Sequence, residues 1–427
     1  MRVLSVNTFN KIKEKVSDLG VLSFLVYATK HLLSIVYFDF FLKYIVSAPF
    51  YILIRLIKPL IFIRIGTLNA SKIGPFASQT ELYLCEKDHG IQPKNTLDIF
   101  ISDQSSFICN YQLYIMWKRL LYVNDIFIPL YRLMMKMPFG NKHIIKTTND
   151  SRDVNGLLEK SDIHLDFLTE EIAKSNLDLK RMDIGLEDKY VLVLNRGQRY
   201  LNETFPNSDW KYHEWRNVSI NDFMPSMEEL VKRGYFVVRV GHLVSELMNI
   251  DNLKIIEYDE GGFRTELLDI YLGANCRFLL TSDSGYQGVP GWVFRRPILN
   301  ISCVSIEYLL NYLPSWLSIF SKYWLRIEKR FMKIPEIIQS GAGRLHGGQD
   351  YDKWGIEVIK NTPEEILDAV IEMEGRLNGT WQTTEEDDAL QRLFWSSFKS
   401  SPHHNPDGKI RGRIGTNFLR ENKTLFD

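Results

Sequence analysis

A chain of 427 residues is too long for one ordinary hydrophobic core, so two domains are expected. A hydrophobic content of 45% with 24% charged residues excludes a largely disordered protein. The four cysteines (Cys85, Cys109, Cys276 and Cys303), widely spaced and without a CxxC pair, exclude a zinc ribbon or disulfide framework and fit a reducing compartment.

The net charge of +0 conceals an asymmetry, because residues 1–65 hold nine Lys and Arg against Glu14, Asp18 and Asp39. That stretch is also strongly apolar, so the anionic partner it suggests is a membrane surface rather than nucleic acid. Residues 1–58 read as a basic, apolar helical segment. Lys30, Asp39, Lys43 and Arg55 interrupt its apolar runs before any reaches the roughly 18 uncharged residues that a spanning helix needs. Helices lying in the interface account for both the aromatic residues (Phe24, Tyr37, Phe41, Phe50 and Tyr51 among them) and the cations. A helical hairpin covering a groove or a dimer partner is the other reading of the same face.

From Ile61 the texture changes. IFIRIG reads as a buried strand ending in Gly66, followed by a loop carrying Asn69, Ser71, Lys72 and Gln79, and then by a helix. Residues 96–102 (TLDIFIS) form a second strand with Asp103 just past its end, and residues 110–121 a helix. The second half of 127–146 reads as loop, residues 162–174 have helical spacing, and the first α/β domain closes near Met182.

YVLVL, residues 190–194, opens the second α/β region, with Asn195, Arg196 and Gly197 at its end. The aromatic and polar stretch 198–221 lacks periodicity and is longer than an idle connection. Residues 223–233 form an amphipathic helix closed by Gly234, 235–240 and 253–256 strands, and 265–273 a helix. Residues 278–280 are a strand that breaks into Ser282, Asp283, Ser284 and Gly285, with a helix opening at Val289 and Pro290. Strands that end in polar clusters, with helices between them, predict a doubly wound parallel sheet that binds ligands at the strands' carboxyl ends. Residues 298–301 read as a last strand and 340–348 as a glycine-rich loop. Residues 362–377 form a helix with Thr362 as cap, Pro363 at the first position and Glu365 closing a capping box. Residues 396–413 read as basic and mobile, and RIGTNFLREN as a final docked helix.

Two α/β domains with polar strand ends across a cleft suit a two-substrate transferase. In such a cleft the Arg196 guanidinium pairs bidentately with a diphosphate and stabilises it as a leaving group without a metal. Arg239, inside YFVVRV, is a second candidate or a structural ion pair. Ser282, Ser284 and the amides around Gly285, with Asp283 in the same turn, fit the distal phosphate, while the loop at Gly241 lies against the base or ribose. The chain has no HExxH and no paired Asp after a strand, so no metal and no cofactor are expected. For a general base on an acceptor hydroxyl, Glu81, Asp88, His89 and Asp103 are in contention, with Asp103 and Glu81 ranked first; each also reads as a solvated or capping residue. GxSxG is absent, which disfavours a hydrolase triad at the Ser-Asp-Ser-Gly turn.

The phrases LNRGQRY, YHEWRNVSINDFMPSMEELVKRGYFVVRVG, LLDIYLGANCRFLLTSDSGYQGVPGWVFRRP and NTPEEILDAVIEM resemble a bacterial family assigned as glycosyltransferases of surface-polysaccharide clusters. More distantly, the second domain is similar to the donor domains of metal-independent fucosyl- and heptosyltransferases. The resemblance runs from about Ile61 onward and is strongest over 190–300. It implies a GT-B architecture, two Rossmann-like domains facing across a cleft, with a nucleotide-sugar donor as substrate and a glycan or lipid-linked glycan as acceptor. It carries Arg196, Arg216, Asn217, Arg239, Gly241, Ser282, Ser284, Gly285 and Pro290 into the donor site as motif matches, and Asn69 and Lys72 are further cleft candidates. The sequence departs from the family at Asn195 and Gly197, where R-D-x-x-Y becomes N-R-G-Q-R-Y, so the phosphate ligand is either Arg196 or Arg199.

The organisation expected is therefore a membrane-associating segment 1–58, an acceptor-side domain 59–182, a nucleotide-sugar domain 183–377, and a tail 378–427 that packs back on the N-terminal domain. The function expected is metal-independent glycosyl transfer by a cytoplasmic protein, peripheral on the inner face of the membrane. A nucleotide-sugar epimerase of the same architecture and a non-catalytic scaffold of a glycan-assembly complex are the alternatives.

Overall fold

The computed structural model describes residues 36–102, 107–146, 151–206, 209–248, 252–345, 347–403 and 409–426. Contacts divide the chain into two compact units, one comprising Met1–Thr67, Asn95–Gln104 and Leu121–Lys146, the other Leu68–Lys94, Ser105–Leu120 and Thr147–Asp427. Met182, where the sequence suggests a boundary, falls inside the second unit. Residues 1–35 of the expected membrane-associating segment lie outside the described residues, as do 404–408 of the basic stretch near the carboxyl end.

The first unit is a three-stranded parallel sheet in the order β1 (Phe62–Thr67), β2 (Thr96–Ile101), β3 (Tyr122–Val123). Arg64 and Asp98 sit opposite each other on β1 and β2 and form a buried two-bond ion pair of 2.6–2.7 Å, which fixes the register in a way that apolar residues alone would not. The Val36–Ile57 helix places Tyr51 and Ile54 against Leu130, Leu133 and Met134 of a second helix, Ile128–Met134. Tyr51 also donates its hydroxyl to the carbonyl of Pro138 at 2.7 Å. The stretch after Met134 is irregular, as its Pro138 and Gly140 suggest, with one 3-10 turn at Gly140–His143.

The second unit is built on a seven-stranded, all-parallel sheet. Its strands are β4 (Tyr190–Leu194), β5 (Phe236–Arg239), β6 (Ile255–Glu257), β7 (Leu279–Thr281), β8 (Ile298–Cys303), β9 (Leu317–Phe320) and β13 (Arg413–Ile414). A small antiparallel sheet of β10 (Lys322–Leu325), β11 (Arg330–Phe331) and β12 (Ile356–Ile359) stands beside it in the chain. The large sheet has the order β13-β9-β8-β7-β4-β5-β6. From β4 the chain steps outward through β5 to β6, then returns to the other side of β4 as β7 and continues to β8 and β9. The order thus reverses between β4 and β7. The continuous apolar runs follow from burial on both faces: every residue of YVLVL and of β5 is buried.

Helix ends obey local chemistry. Thr362 Oγ1 accepts from the Glu365 amide at 3.3 Å while Glu365 accepts from the Thr362 amide at 3.1 Å, closing the capping box of the Pro363–Asn378 helix. The helix expected over 162–174 instead spans Thr169–Arg181. Glu171 accepts from the Leu168 amide at 2.9 Å and starts the helix there, while His164 is drawn into a side-chain network described below. The helix expected to open at Val289 is a single wide π-turn, Val289–Val293. Among the described residues of 198–221 the chain forms short helices at Arg199–Thr204 and Lys211–Arg216. The tail's β13 and its Thr416–Glu421 helix belong to the second unit, where the Thr416 amide and hydroxyl donate to the buried Glu372 at 2.6 and 2.9 Å.

Candidate functional site

The reversal between β4 and β7 opens a crevice at the strands' carboxyl ends, where an open parallel sheet binds its ligand. Two strand ends are tied together across it. Thr281 donates its hydroxyl to the Leu194 carbonyl at 3.1 Å, and the Arg196 amide donates to Ser282 Oγ at 3.0 Å. Beneath them Arg239, whose side chain is fully buried, donates to Asn195 Oδ1 at 3.1 and 3.3 Å and to Glu257 at 2.7 Å. Asn195 in turn donates to the Val218 carbonyl at 3.1 Å, so the first residue after β4 is held from two sides.

The resulting cavity, of 620 Å³, lies wholly within the second unit. This is the size of an ordinary small-molecule site. Lys72, Arg196, Arg216 and Arg264 bring positive charge to its lining, Glu266 and Asp269 bring negative charge, and Phe107, Tyr200, Phe205, Trp210 and Tyr286 supply aromatic faces. Gly241 lines it with φ +132, a conformation that side chains resist, where the chain turns off β5. Arg216 is oriented by a fork on Asp283, with Nη2 donating to the Asp283 carbonyl at 2.6 Å and Nε 3.1 Å from its carboxylate.

Of the residues singled out in the sequence, Lys72, Arg196, Arg216, Gly241, Ser284 and Gly285 line this cavity together. Ser282 and Asp283 stand one bond behind it, holding Arg196 and Arg216. Arg239 is not in the lining; it is the structural ion pair that its place inside a strand allows. Arg199 is also outside the lining, at the surface, with Glu203 at 2.7 Å and Glu260 at 3.6 Å. Pro290 is buried in the π-turn, Asn217 accepts from Lys360 through its carbonyl, and Asn69, with φ 47, donates to Gln79 at 2.6 Å.

Glu81 is far from a free base. It is buried and accepts at Oε1 from Arg295 at 2.6 Å, with His164 Nδ1 at 2.9 Å; the other ring nitrogen of His164 meets Asp88 at 2.8 Å. Burial alone would lower the His164 imidazole, but its bonds to Glu81 and Asp88 carry it above its ordinary value. Glu81, Cys85 and His164 lie close enough to share a cation, but Arg295 already stands there and also donates to Cys85 Sγ at 3.6 Å. Burial, helped by the Glu81 charge, pushes the Cys85 thiol up to about 12. His89 contacts Ser161 at 3.1 Å, and Asp103 lies outside the described residues.

The sequence does not mark Asp269, a carboxylate in the cavity lining. It sits in the first turn of the Glu266–Asn275 helix, whose cap Thr265 accepts from the Leu268 amide at 3.1 Å. Asn110 fastens the same helix end by donating to the Glu266 carbonyl at 3.0 Å. Arg264 donates to the Asp269 carboxylate at 2.8 Å. Burial nevertheless pushes the carboxyl up to about 6, against the pull of Arg264 and of a Tyr258 hydrogen bond. An acid near an amphipathic helix's start ordinarily reads as a dipole partner, so nothing in ELLDIYLG marks it.

No protein-family model matches the chain, and no curated protein matches it. Among solved structures, a glycosyl transferase family 9 protein from Veillonella parvula is similar with 12% identity and a TM-score of 0.38, over 56% of this chain and 80% of that one. The ADP-heptose LPS heptosyltransferase II of E. coli is similar with 13% identity and a TM-score of 0.33, over 60% of this chain and 90% of that one.

Proposed function

We propose that the protein is a glycosyltransferase that moves a sugar from a nucleotide-diphosphate donor to a hydroxyl of a surface-polysaccharide or lipid-linked glycan. The observation that carries this reading is the crevice at the sheet's reversal, where Arg196 and Arg216 stand beside the Ser284–Gly285 turn and a cluster of aromatic side chains. A diphosphate brings negative charge that the two guanidinium groups meet in pairs, and Lys72 adds a third cation; together they do the work that a divalent ion does in other transferases. The aromatic faces of Tyr200, Phe205 and Trp210 suit the nucleobase or the sugar's apolar side.

In the transfer, the acceptor oxygen forms a bond to the anomeric carbon as the bond from that carbon to the diphosphate breaks. The nucleoside diphosphate leaves with the electron pair, neutralised by the cations. The acceptor's proton passes to a carboxylate, for which Asp269 stands in the cavity lining and Asp103 remains the other candidate. A carboxyl titrating near 6 is ionised at neutral pH yet basic enough to take a proton in the transition state.

The test is thermal stabilisation of the purified protein by UDP-, GDP-, ADP- and dTDP-sugars, since a ligand that binds only the folded state raises the Tm. One donor class should stabilise it, and Arg216→Ala should abolish the shift. A protein that no nucleotide sugar stabilises, with or without a glycan acceptor, is not a transferase of this kind.

A further inference from the structure

We infer that the first unit carries a docking face for an anionic lipid surface, formed by the outer side of residues 44–57 of the Val36–Ile57 helix and by the segment after Met134. This inference goes beyond glycosyl transfer and does not depend on it. The helix packs inward through Ser47, Tyr51 and Ile54. Over residues 44–57 of the helix the exposed side chains are apolar, among them Val46, Phe50, Leu53 and Leu56, and Leu60, just past its end, is 89% exposed. Phe139, at φ 62, continues the patch from the other segment and is 61% exposed. An exposed apolar strip of this kind on one helix marks an interaction site.

Charge identifies the occupant. Residues 44–61 and 126–146 contain Arg55, Lys58, Arg132, Lys136, Lys142 and Lys146 and no Asp or Glu. Several of these cations lie over rings that edge the patch: Arg55 and Lys142 are 5.4 and 5.5 Å from the Phe139 centroid, Lys58 is 4.8 Å from Phe62, and Lys136 is 5.2 Å from Tyr44. After burial, Arg55 and Lys58 also help to hold the His143 imidazole below its ordinary value. A two-fold pairing of this face with a second copy would set cation against cation. An apolar strip rimmed by cations and aromatic rings instead matches the boundary between headgroups and acyl chains. Among the described residues no helix is long and apolar enough to cross a membrane, so the helix would lie in the interface.

The test is co-sedimentation of the full-length protein with vesicles of phosphatidylcholine alone and of phosphatidylcholine with phosphatidylglycerol. Binding should need the anionic lipid and weaken with salt. Leu53→Glu with Leu56→Glu should weaken it at least about tenfold, since the face must then bury carboxylates. Lys58→Glu with Lys142→Glu should weaken it by at least about 25-fold, at roughly fivefold per cation lost. The first double changes exposed side chains, the second the exposed Lys142 and the half-buried Lys58, and an unaltered circular dichroism spectrum and Tm would show that the fold stands. The proposal is overturned if the native protein ignores both vesicles, or if both variants bind as the native protein does, which would assign binding to residues 1–35. It is equally overturned if Leu53→Glu with Leu56→Glu splits a dimer and leaves vesicle binding intact.

Discussion

Gly74 and Gly285 pack backbone against backbone, bringing the first turn of the Ile73–Asp88 helix onto the turn that follows β7. A Cβ on Gly74 would stand 3.0 Å from the Gly285 Cα and 3.2 Å from its carbonyl oxygen. The atoms in the way are main chain, which a rotamer change cannot move. Gly74→Ala should therefore lower stability by about 1–3 kcal/mol in urea unfolding, outweighing the up to ~1 kcal/mol that alanine gains inside a helix. It should also blunt any nucleotide-sugar response, because the displaced turn carries Ser284. Stability equal to the native chain would mean that the turn shifts at little cost.

Arg216 reaches Asp283 through two separate nitrogens, a geometry that a lysine ammonium cannot copy. Both side chains are partly exposed, so the pair contributes little to folding, about 0–1 kcal/mol. Arg216→Lys should keep the Tm within a few degrees and weaken the stabilising nucleotide sugar by about tenfold or more in a calorimetric titration. A Kd unchanged by the substitution removes Arg216 from the donor site.

Asp269 ties stability to pH with a definite sign. Its carboxyl titrates at about 6 in the folded chain, above the ordinary aspartate value of 3.8. The unfolded chain therefore releases this proton first, and the group's contribution falls as pH rises from about 4 to about 6, by up to ~1.4 kcal/mol per pH unit, and is level above that. Asp269→Asn should flatten that part of the urea-stability profile. If Asp269 is the base, transfer should rise with pH through about 6 in the native enzyme and be lost in the Asn variant. Full activity in that variant would pass the role to Asp103.

Arg239 separates a structural role from a ligand role. Its guanidinium is fully buried between Glu257 and Asn195, and Arg239→Ala leaves Glu257 and the Asn195 carbonyl without it, at a cost of about 3–5 kcal/mol. The Tm should fall sharply, yet the folded fraction should still be stabilised by the same nucleotide sugar, through Arg196 and Arg216. A native Tm with lost binding would instead place Arg239 at the donor.

Much of the second unit's sheet could be read from the chain, because strands buried on both faces leave unbroken runs such as YVLVL, and because polar residues gather where such strands end. The place of Arg196 and of the Ser284–Gly285 turn just past strand ends is legible for that reason. The order of the strands is not: which of β5, β7 or β8 lies beside β4 depends on crossovers that leave no mark in any one segment. Asp269 is not marked in the sequence because its raised carboxyl arises from burial, against the pull of Arg264 and Tyr258, in surroundings that only the fold assembles. Glu81 shows the complementary case. A carboxylate in a helix after a strand looks available until His164 and Arg295, far away in sequence, are seen to hold it. The strand β13 reads in the sequence as part of a helix, since two residues are too few to show a period.

That short strand also limits the sheet. Ile414 offers its outward amide and carbonyl to the side chain of Gln391, which accepts from the amide at 3.2 Å and donates to the carbonyl at 2.6 Å. A carboxamide thus imitates one more strand and leaves no open ladder. Cutting the chain before Arg413 would bare the flank of Leu317–Phe320, an apolar strand whose residues are all buried, and offer it to the same strand of another molecule. Such a fragment should precipitate rather than remain a smaller working protein, so the last turns of this chain act as a guard against self-association.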